Sequence, residues 1–132
     1  MEHDLDGLRI LIVEDEAMLA FVFKTFLEDA GAEVAGPVNC VKSACDLLDE
    51  QEIDCAMMDV RLNNETVYPL ADKLNARGIP FIFVTGNSAN ILPPEYSSRP
   101  LLLKPVGSKR LVFTIARLTH TGAGLMTAYP AA

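Results

Sequence analysis

Four short apolar runs in this chain each end on a residue able to do chemistry. Residues 10–13 lead into Glu14-Asp15, Cys55–Met58 into Asp59, residues 81–84 into Thr85, and Leu101–Leu103 into Lys104-Pro105. Continuous apolar runs of this length read as strands buried on both faces, as in a parallel sheet covered by helices. In an open parallel α/β sheet the carboxyl ends of the strands share one edge, and ligands bind there. Three carboxylates, a hydroxyl and an ammonium, far apart in sequence, are therefore expected to meet in one small site.

Helix-like segments separate the strands, about five times over, which is the α/β pattern. The first strand, about residues 9–13, precedes a helix over about 17–30, where Leu19, Val22, Phe23 and Phe26 recur at helical spacing. Gly31 supplies a C-terminal stop. A second strand covers about 33–35. Asn39 is the expected cap of a helix carrying Val41, Ala44, Cys45 and Leu48 on one face. The third strand, about 53–58, is followed by a loop through Asn63-Asn64 and a helix over Tyr68–Ala76 closed by Gly78. Ile79-Pro80 introduces the fourth strand. Residues 86–100 hold Pro93, Pro94 and Pro100 and lack a helical pattern. The fifth strand is Leu101–Leu103, and the last helix, over about 108–118, has Ser108 as its expected cap. Its apolar face, Leu111, Ile115 and Leu118, is read as core packing ahead of a homodimer contact. Residues 119–132, rich in Gly, Ala and Thr, are expected to form a flexible tail.

The 132 residues suit a single domain spanning the whole chain, with its core at about 8–118. A chain of this size buries enough surface to fold without disulfides. Cys40, Cys45 and Cys55 are odd in number, form no CxxC pair, and read as small buried thiols. The formal net charge is −7, and the basic residues are scattered, which argues against nucleic acid as a partner. The N-terminus lacks the basic start and apolar stretch of a signal peptide. The most apolar segment, residues 17–23, is too short to span a bilayer, so a cytoplasmic protein without a membrane partner is expected.

If the sheet runs in the order 2-1-3-4-5, the first and third strands are neighbours, and Glu14, Asp15 and Asp59 crowd together. Crowded carboxylates disfavour one another's ionisation unless a cation is present. Mg²⁺, with its preference for hard oxygen ligands, suits them. A carboxylate beside a metal can attack phosphorus and form an aspartyl-phosphate, and Asp59 is the best candidate for that role. The metal can neutralise one phosphoryl oxygen and Lys104 another, while Thr85 can hydrogen-bond a third. Gly86 leaves open space beside the acceptor. Lys104-Pro105 raises the question of a cis bond that aims the lysine inward.

These residues together resemble the receiver domain of two-component response regulators over about residues 8–118. The resemblance rests on the acid pair in Ile-Leu-Ile-Val-Glu14-Asp15, the acceptor in Met-Met-Asp59-Val, the hydroxyl in Phe-Val-Thr85-Gly, and Leu-Leu-Leu-Lys104-Pro105. It implies a flavodoxin-like, doubly wound five-stranded parallel sheet and phosphorylation of Asp59 by a histidine kinase. It also implies a Mg²⁺ site with Asp15 and Asp59 as direct ligands, Glu14 acting through water, and the backbone carbonyl of Arg61 as a further ligand. Thr85 and Lys104 would contact the phosphoryl group, and the side chains of Arg61 and Asn87 would flank it and tune its lifetime. Two features depart from the family. Leu101 stands where many receivers carry an aromatic switch residue, and the usual Pro and Gly are missing from Arg61-Leu62-Asn63-Asn64-Glu65. The segment Pro80-Phe-Ile-Phe-Val-Thr-Gly86 resembles a subgroup with a Phe-rich fourth strand ending in Thr-Gly, often stand-alone receivers of alphaproteobacteria paired with atypical sensor kinases. Asn87 stands where that subgroup commonly has an aromatic.

The expected function is that of a single-domain response regulator, a signalling phosphoacceptor rather than an enzyme. Its partners would be a sensor histidine kinase or a histidine phosphotransfer protein, and a downstream target bound when Asp59 is phosphorylated. An aspartate-nucleophile phosphohydrolase is the enzymatic alternative. Such enzymes usually place an acid two residues after the nucleophile, where this chain has Arg61. A receiver-shaped binding module that never uses phosphate is the third reading.

Overall fold

The computed structural model describes residues 4–86 and 92–120. Five parallel strands form the central sheet: β1 (Arg9–Val13), β2 (Glu33–Val38), β3 (Cys55–Met58), β6 (Phe81–Thr85) and β7 (Leu101–Leu103), in the spatial order β2-β1-β3-β6-β7. Counting sheet strands alone, this is 2-1-3-4-5, the expected flavodoxin-like order. A two-stranded antiparallel hairpin, β4 (Arg61–Leu62) and β5 (Glu65–Thr66), stands outside the sheet. The helices are α1 (Ala17–Asp29), α2 (Val41–Glu50), α3 (Tyr68–Ala76) and α4 (Ser108–His120), with one 3₁₀ turn at Pro94–Tyr96.

Strand alternation divides the core in two. Ile10, Ile12, Cys55, Met57, Ile82 and Val84 pack with Phe23 and Leu27 of α1 and Leu111, Ile115 and Leu118 of α4. Leu11, Val13, Ala56, Met58, Phe81 and Phe83 pack with Ala44 and Leu48 of α2 and Leu70, Ala71 and Leu74 of α3. Both faces of the sheet are thus covered, which explains why its strands are apolar without alternation. Each fully buried side chain of this kind contributes about 1.5–3 kcal/mol. The face of α4 read as core packing is core: Leu111, Ile115 and Leu118 are all buried.

Several local expectations are corrected. The second strand continues to Val38, beyond the expected 35, and the third begins at Cys55 rather than 53. Asn39 does not cap α2; the N-cap is Cys40, and no side chain of its own caps the helix. Ser108 is the first residue of α4 rather than its cap, and the Gly107 carbonyl accepts from the Leu111 N–H at 3.1 Å. The loop through Asn63-Asn64 is a hairpin turn. Gly31 fills its expected role: α1 ends at Asp29, and the chain leaves through Gly31 at φ 101, a conformation that L side chains rarely adopt. Lys104-Pro105 is cis, as is Gly36-Pro37. In the proline-bearing stretch, the 3₁₀ turn is the regular structure among the described residues. Asn87 and residues 121–132, which make up most of the expected tail, lie outside the described residues.

Candidate functional site

The register of the sheet brings the chemical residues together. Val13 of β1 pairs with Met58 of β3, so Glu14 and Asp59 leave neighbouring strands side by side. Their exits are fixed by backbone bonds: the Glu14 N–H donates to the Val38 carbonyl at 2.9 Å, and the Asp59 N–H to the Val13 carbonyl at 3.0 Å. Thr85, the last residue of β6, pairs with Leu103 of β7, and the Lys104 N–H donates to the Thr85 carbonyl at 2.8 Å. Parallel pairing alone therefore delivers all of these residues to one edge.

Lys104 bridges two of the acids. Its Nζ lies 2.9 Å from Glu14 Oε1 and 2.8 Å from Asp59 Oδ2. The side chains of Glu14, Asp59 and Lys104 are only 2%, 12% and 16% exposed, so these contacts are poorly screened by water. Glu14, Asp15 and Asp59 each offer one carboxylate oxygen, all within 4.8 Å of one another. Burial raises the Glu14 carboxyl above its ordinary range. Hydrogen bonds from the Lys104 ammonium and the Glu16 N–H, the latter 3.1 Å from Oε2, oppose that effect. Burial pulls Lys104 downward, but bonds to Asp59 and then Glu14 outweigh it and hold the ammonium above its ordinary value.

Asp15 is oriented separately. Its Oδ2 accepts from the backbone N–H of Asn63 at 2.8 Å. Asn63 sits in the β4–β5 turn at φ 48, in the left-handed region that Asn tolerates better than most residues. Arg61, two residues past Asp59, is exposed and lies on β4. Thr85 is buried at its strand end. A Cβ built on Gly86 would meet Lys104 Cδ at 3.7 Å, an ordinary contact. The position is thus open beside the lysine stem. A cavity of about 460 Å³ opens next to Glu14 and Asp15, lined also by Ala17, Phe21, Pro37 and Val38. A larger one, about 1010 Å³, lies between α1 and α4 and touches none of the site residues.

Two features escaped the sequence reading. The turn donor Asn63 carried one partial signal, because Asn tolerates the positive φ that tight hairpin turns require. Tyr96 is the other. It is buried on the 3₁₀ turn, stacked on Tyr68 at 6.1 Å and edge-on to Phe81 and Phe83 at 5.8 and 6.1 Å. Its hydroxyl donates to Asp72, and burial together with that bond pushes the phenol up to about 12. The alternating Phe81 and Phe83 marked a ring-lined face, but nothing in the sequence tied Tyr96 to it.

Three carboxylates and one ammonium thus meet on the carboxyl edge of a doubly wound sheet. The chain belongs to the response regulator receiver domain family, which it matches over residues 10–116. Among solved structures it is similar to SdrG from Sphingomonas melonis Fr1, at 36% identity and a TM-score of 0.75, covering 86% of this chain and 95% of that one. The BeF₃-activated conformation of SdrG matches at the same 36% identity with a TM-score of 0.72, covering 84% of this chain and 95% of that one. Among curated relatives, it is 32% identical to the uncharacterized transcriptional regulatory protein YbdJ of Bacillus subtilis over 93% of this chain and 56% of that protein. It is 26% identical to the sensory transduction protein LytT of Bacillus cereus over 83% of this chain and 46% of that protein. The chain thus spans about half the length of the curated relatives it matches. Among the described residues, no helix is long and apolar enough to cross a membrane.

Proposed function

We propose that this chain is a phosphoacceptor of two-component signalling, with Asp59 receiving a phosphoryl group in a Mg²⁺-dependent reaction and the phosphorylated form selecting a protein partner. The observation that carries this reading is the Lys104 ammonium bonded to both Glu14 and Asp59, with Asp15 completing a three-carboxylate cluster. The donor set fits Mg²⁺: it is all hard oxygen, excess in negative charge, and open toward a cavity. Asp15 and Asp59 would hold the ion, with Glu14 acting through water and the Arg61 carbonyl as a further ligand. The bound ion would supply neutralisation of phosphoryl charge.

The chain's own residues do the rest. Asp59 presents an oxygen as nucleophile, since its partner Lys104 can turn from that carboxylate to the arriving phosphoryl oxygens. Thr85, at the end of β6, lies in reach of the same edge and would donate to a phosphoryl oxygen. Rearrangement at Thr85 and Lys104 would alter the surface around β6 and β7, as bistable elements in switch proteins do. BeF₃ activation of SdrG, a relative of similar extent, supports a site that accepts a phosphoryl mimic.

The donor is read as a sensor histidine kinase or histidine phosphotransfer protein. Met18 and Phe21 of α1 are 78% and 66% exposed, and Phe21 lines the cavity beside the acid pair. A protein bringing a phosphohistidine to Asp59 would cover them and remove their apolar surface from water. The phosphohydrolase alternative lacks the second acid, because Arg61 is exposed on β4 and offers no carboxylate.

The test is beryllofluoride titration followed by NMR. Amide shifts are expected at Asp59, Thr85 and Lys104, they should require Mg²⁺, and they should vanish in Asp59→Asn. Shifts that persist in that variant, or none in the wild type, would count against the assignment.

A further inference from the structure

The hairpin after Asp59 is tied at two points to distant parts of the chain. Its base is set in the core by Leu62 and Val67, both fully buried, and the Val67 N–H donates to the Val60 carbonyl at 2.9 Å. At the turn, the Asn63 N–H donates to Asp15 Oδ2 at 2.8 Å. On the returning strand, Glu65 Oε2 accepts from the backbone N–H of Val41, the first residue of α2, at 2.9 Å.

That second tie answers a defect in α2. A helix begins with N–H groups that lack intrahelical partners, and its dipole favours a negative charge there. The N-cap Cys40 supplies no side-chain cap, and the first turn of α2 carries no acidic residue. The Cys40 thiol is engaged instead with Ser43 Oγ at 3.2 Å. Glu65 brings the missing carboxylate from the hairpin, 24 residues along the chain.

We propose that Glu65 is a positioning residue for the acid site: by clamping the hairpin to the start of α2, it holds the Asn63 N–H on one oxygen of Asp15 and so presets that carboxylate for a cation. The hairpin is short, and a two-stranded ribbon is marginal by itself. It therefore needs both its buried base and an outer tie to keep Asn63 at positive φ. The Glu65 carboxylate bonds to the Val41 N–H, so its effect on Asp15 passes through the turn. This inference rests on the Mg²⁺ reading for the role of Asp15, but not for the clamp.

The test uses the full chain with Glu65→Ala and Glu65→Gln. Amide hydrogen exchange at Val41 and Asn63 is read in metal-free protein, and Mg²⁺ affinity is read by calorimetric titration. Glu65→Ala should speed exchange at both amides and weaken Mg²⁺ binding about tenfold, the scale of losing a residue that orients a ligand. Glu65→Gln, which keeps an acceptor oxygen, should restore most of both. Faster exchange at Val41 alone, with Asn63 and Mg²⁺ affinity unchanged, would make Glu65 a helix cap only and overturn the proposal. If wild-type protein binds no Mg²⁺, the metal reading fails by itself. The Asn63 amide in Glu65→Ala then decides the clamp: faster exchange supports it and unchanged exchange overturns it.

Discussion

Lys104 donates to two carboxylates at once, and both are largely shielded from water. Removing one partner of such a group leaves the others with desolvated charge and no compensation. Lys104→Met should therefore cost about 2–3 kcal/mol of metal-free stability, the scale of charged hydrogen bonds lost from a partly buried site. Urea denaturation measures this. On the proposed Mg²⁺ reading, added ion should recover part of the loss, because it would replace the missing positive charge and favour the folded state. An unchanged midpoint without metal would mean that the ammonium contributes nothing to holding the acids together. Asp15 differs, since its fixed partner is a backbone N–H rather than the lysine. Glu14 and Asp59 thus share the ammonium, while Asp15 is bonded to the turn.

The elements carry a second electrostatic joint, away from the site. Asp49 at the end of α2 accepts from Arg77 at 2.6 Å and pairs with Lys73 at 3.3 Å, linking α2 to α3. Bonding to Arg77, then to Lys73, holds the Asp49 carboxyl below its ordinary range. A lowered folded value means that the contribution is complete above the ordinary carboxylate range and is lost as pH falls through the folded value. In Asp49→Asn, stability should depend less on pH below about 4, the ordinary aspartate value. Parallel acid curves for wild type and variant would remove Asp49 from the balance. The Arg77 Nη1 bond to the Leu48 carbonyl, at 2.9 Å, does not involve the Asp49 carboxylate.

At this same scale, sequence legibility tracks burial. Tyr68–Ala76 and Leu101–Leu103 were readable to the residue, because apolar periodicity and flanking Gly and Pro mark elements that pack on the core. The ends of α2 and α4 were misread, since Asn39 and Ser108 are good cap residues by type. The α2 start instead takes its partner from Glu65, a tertiary contact that local propensity does not contain. The hairpin was missed for a related reason. Its strands are two residues each, too short to show alternation, and only the Asn-Asn turn hints at them. Tyr96 was invisible because a ring in a proline-bearing stretch becomes core only when Phe81 and Phe83 are already in place.

Across the whole molecule, the carboxyl edge of the sheet collects what the chain scatters. Glu14, Asp15, Asp59, Thr85 and Lys104 reach that edge because the order β2-β1-β3-β6-β7 puts their strands side by side. That convergence was legible, since each residue followed a buried run and parallel strands end together. The bonding within it was not, because the sharing of Lys104 between Glu14 and Asp59 depends on side-chain reach. The helices cover both faces of the sheet and leave Met18 and Phe21 of α1 exposed, with Phe21 lining the cavity beside the acid pair. The carboxyl edge thus has an apolar margin, which suits the proposed contact with a phosphodonor protein.

Intact-mass spectrometry after incubation with a small phosphodonor and Mg²⁺, for wild type and Asp59→Asn, tests the central claim most directly. The account predicts one phosphoryl group on the wild type, lost on metal chelation and absent from the variant. An adduct of equal yield on Asp59→Asn, or one indifferent to chelation, would contradict it.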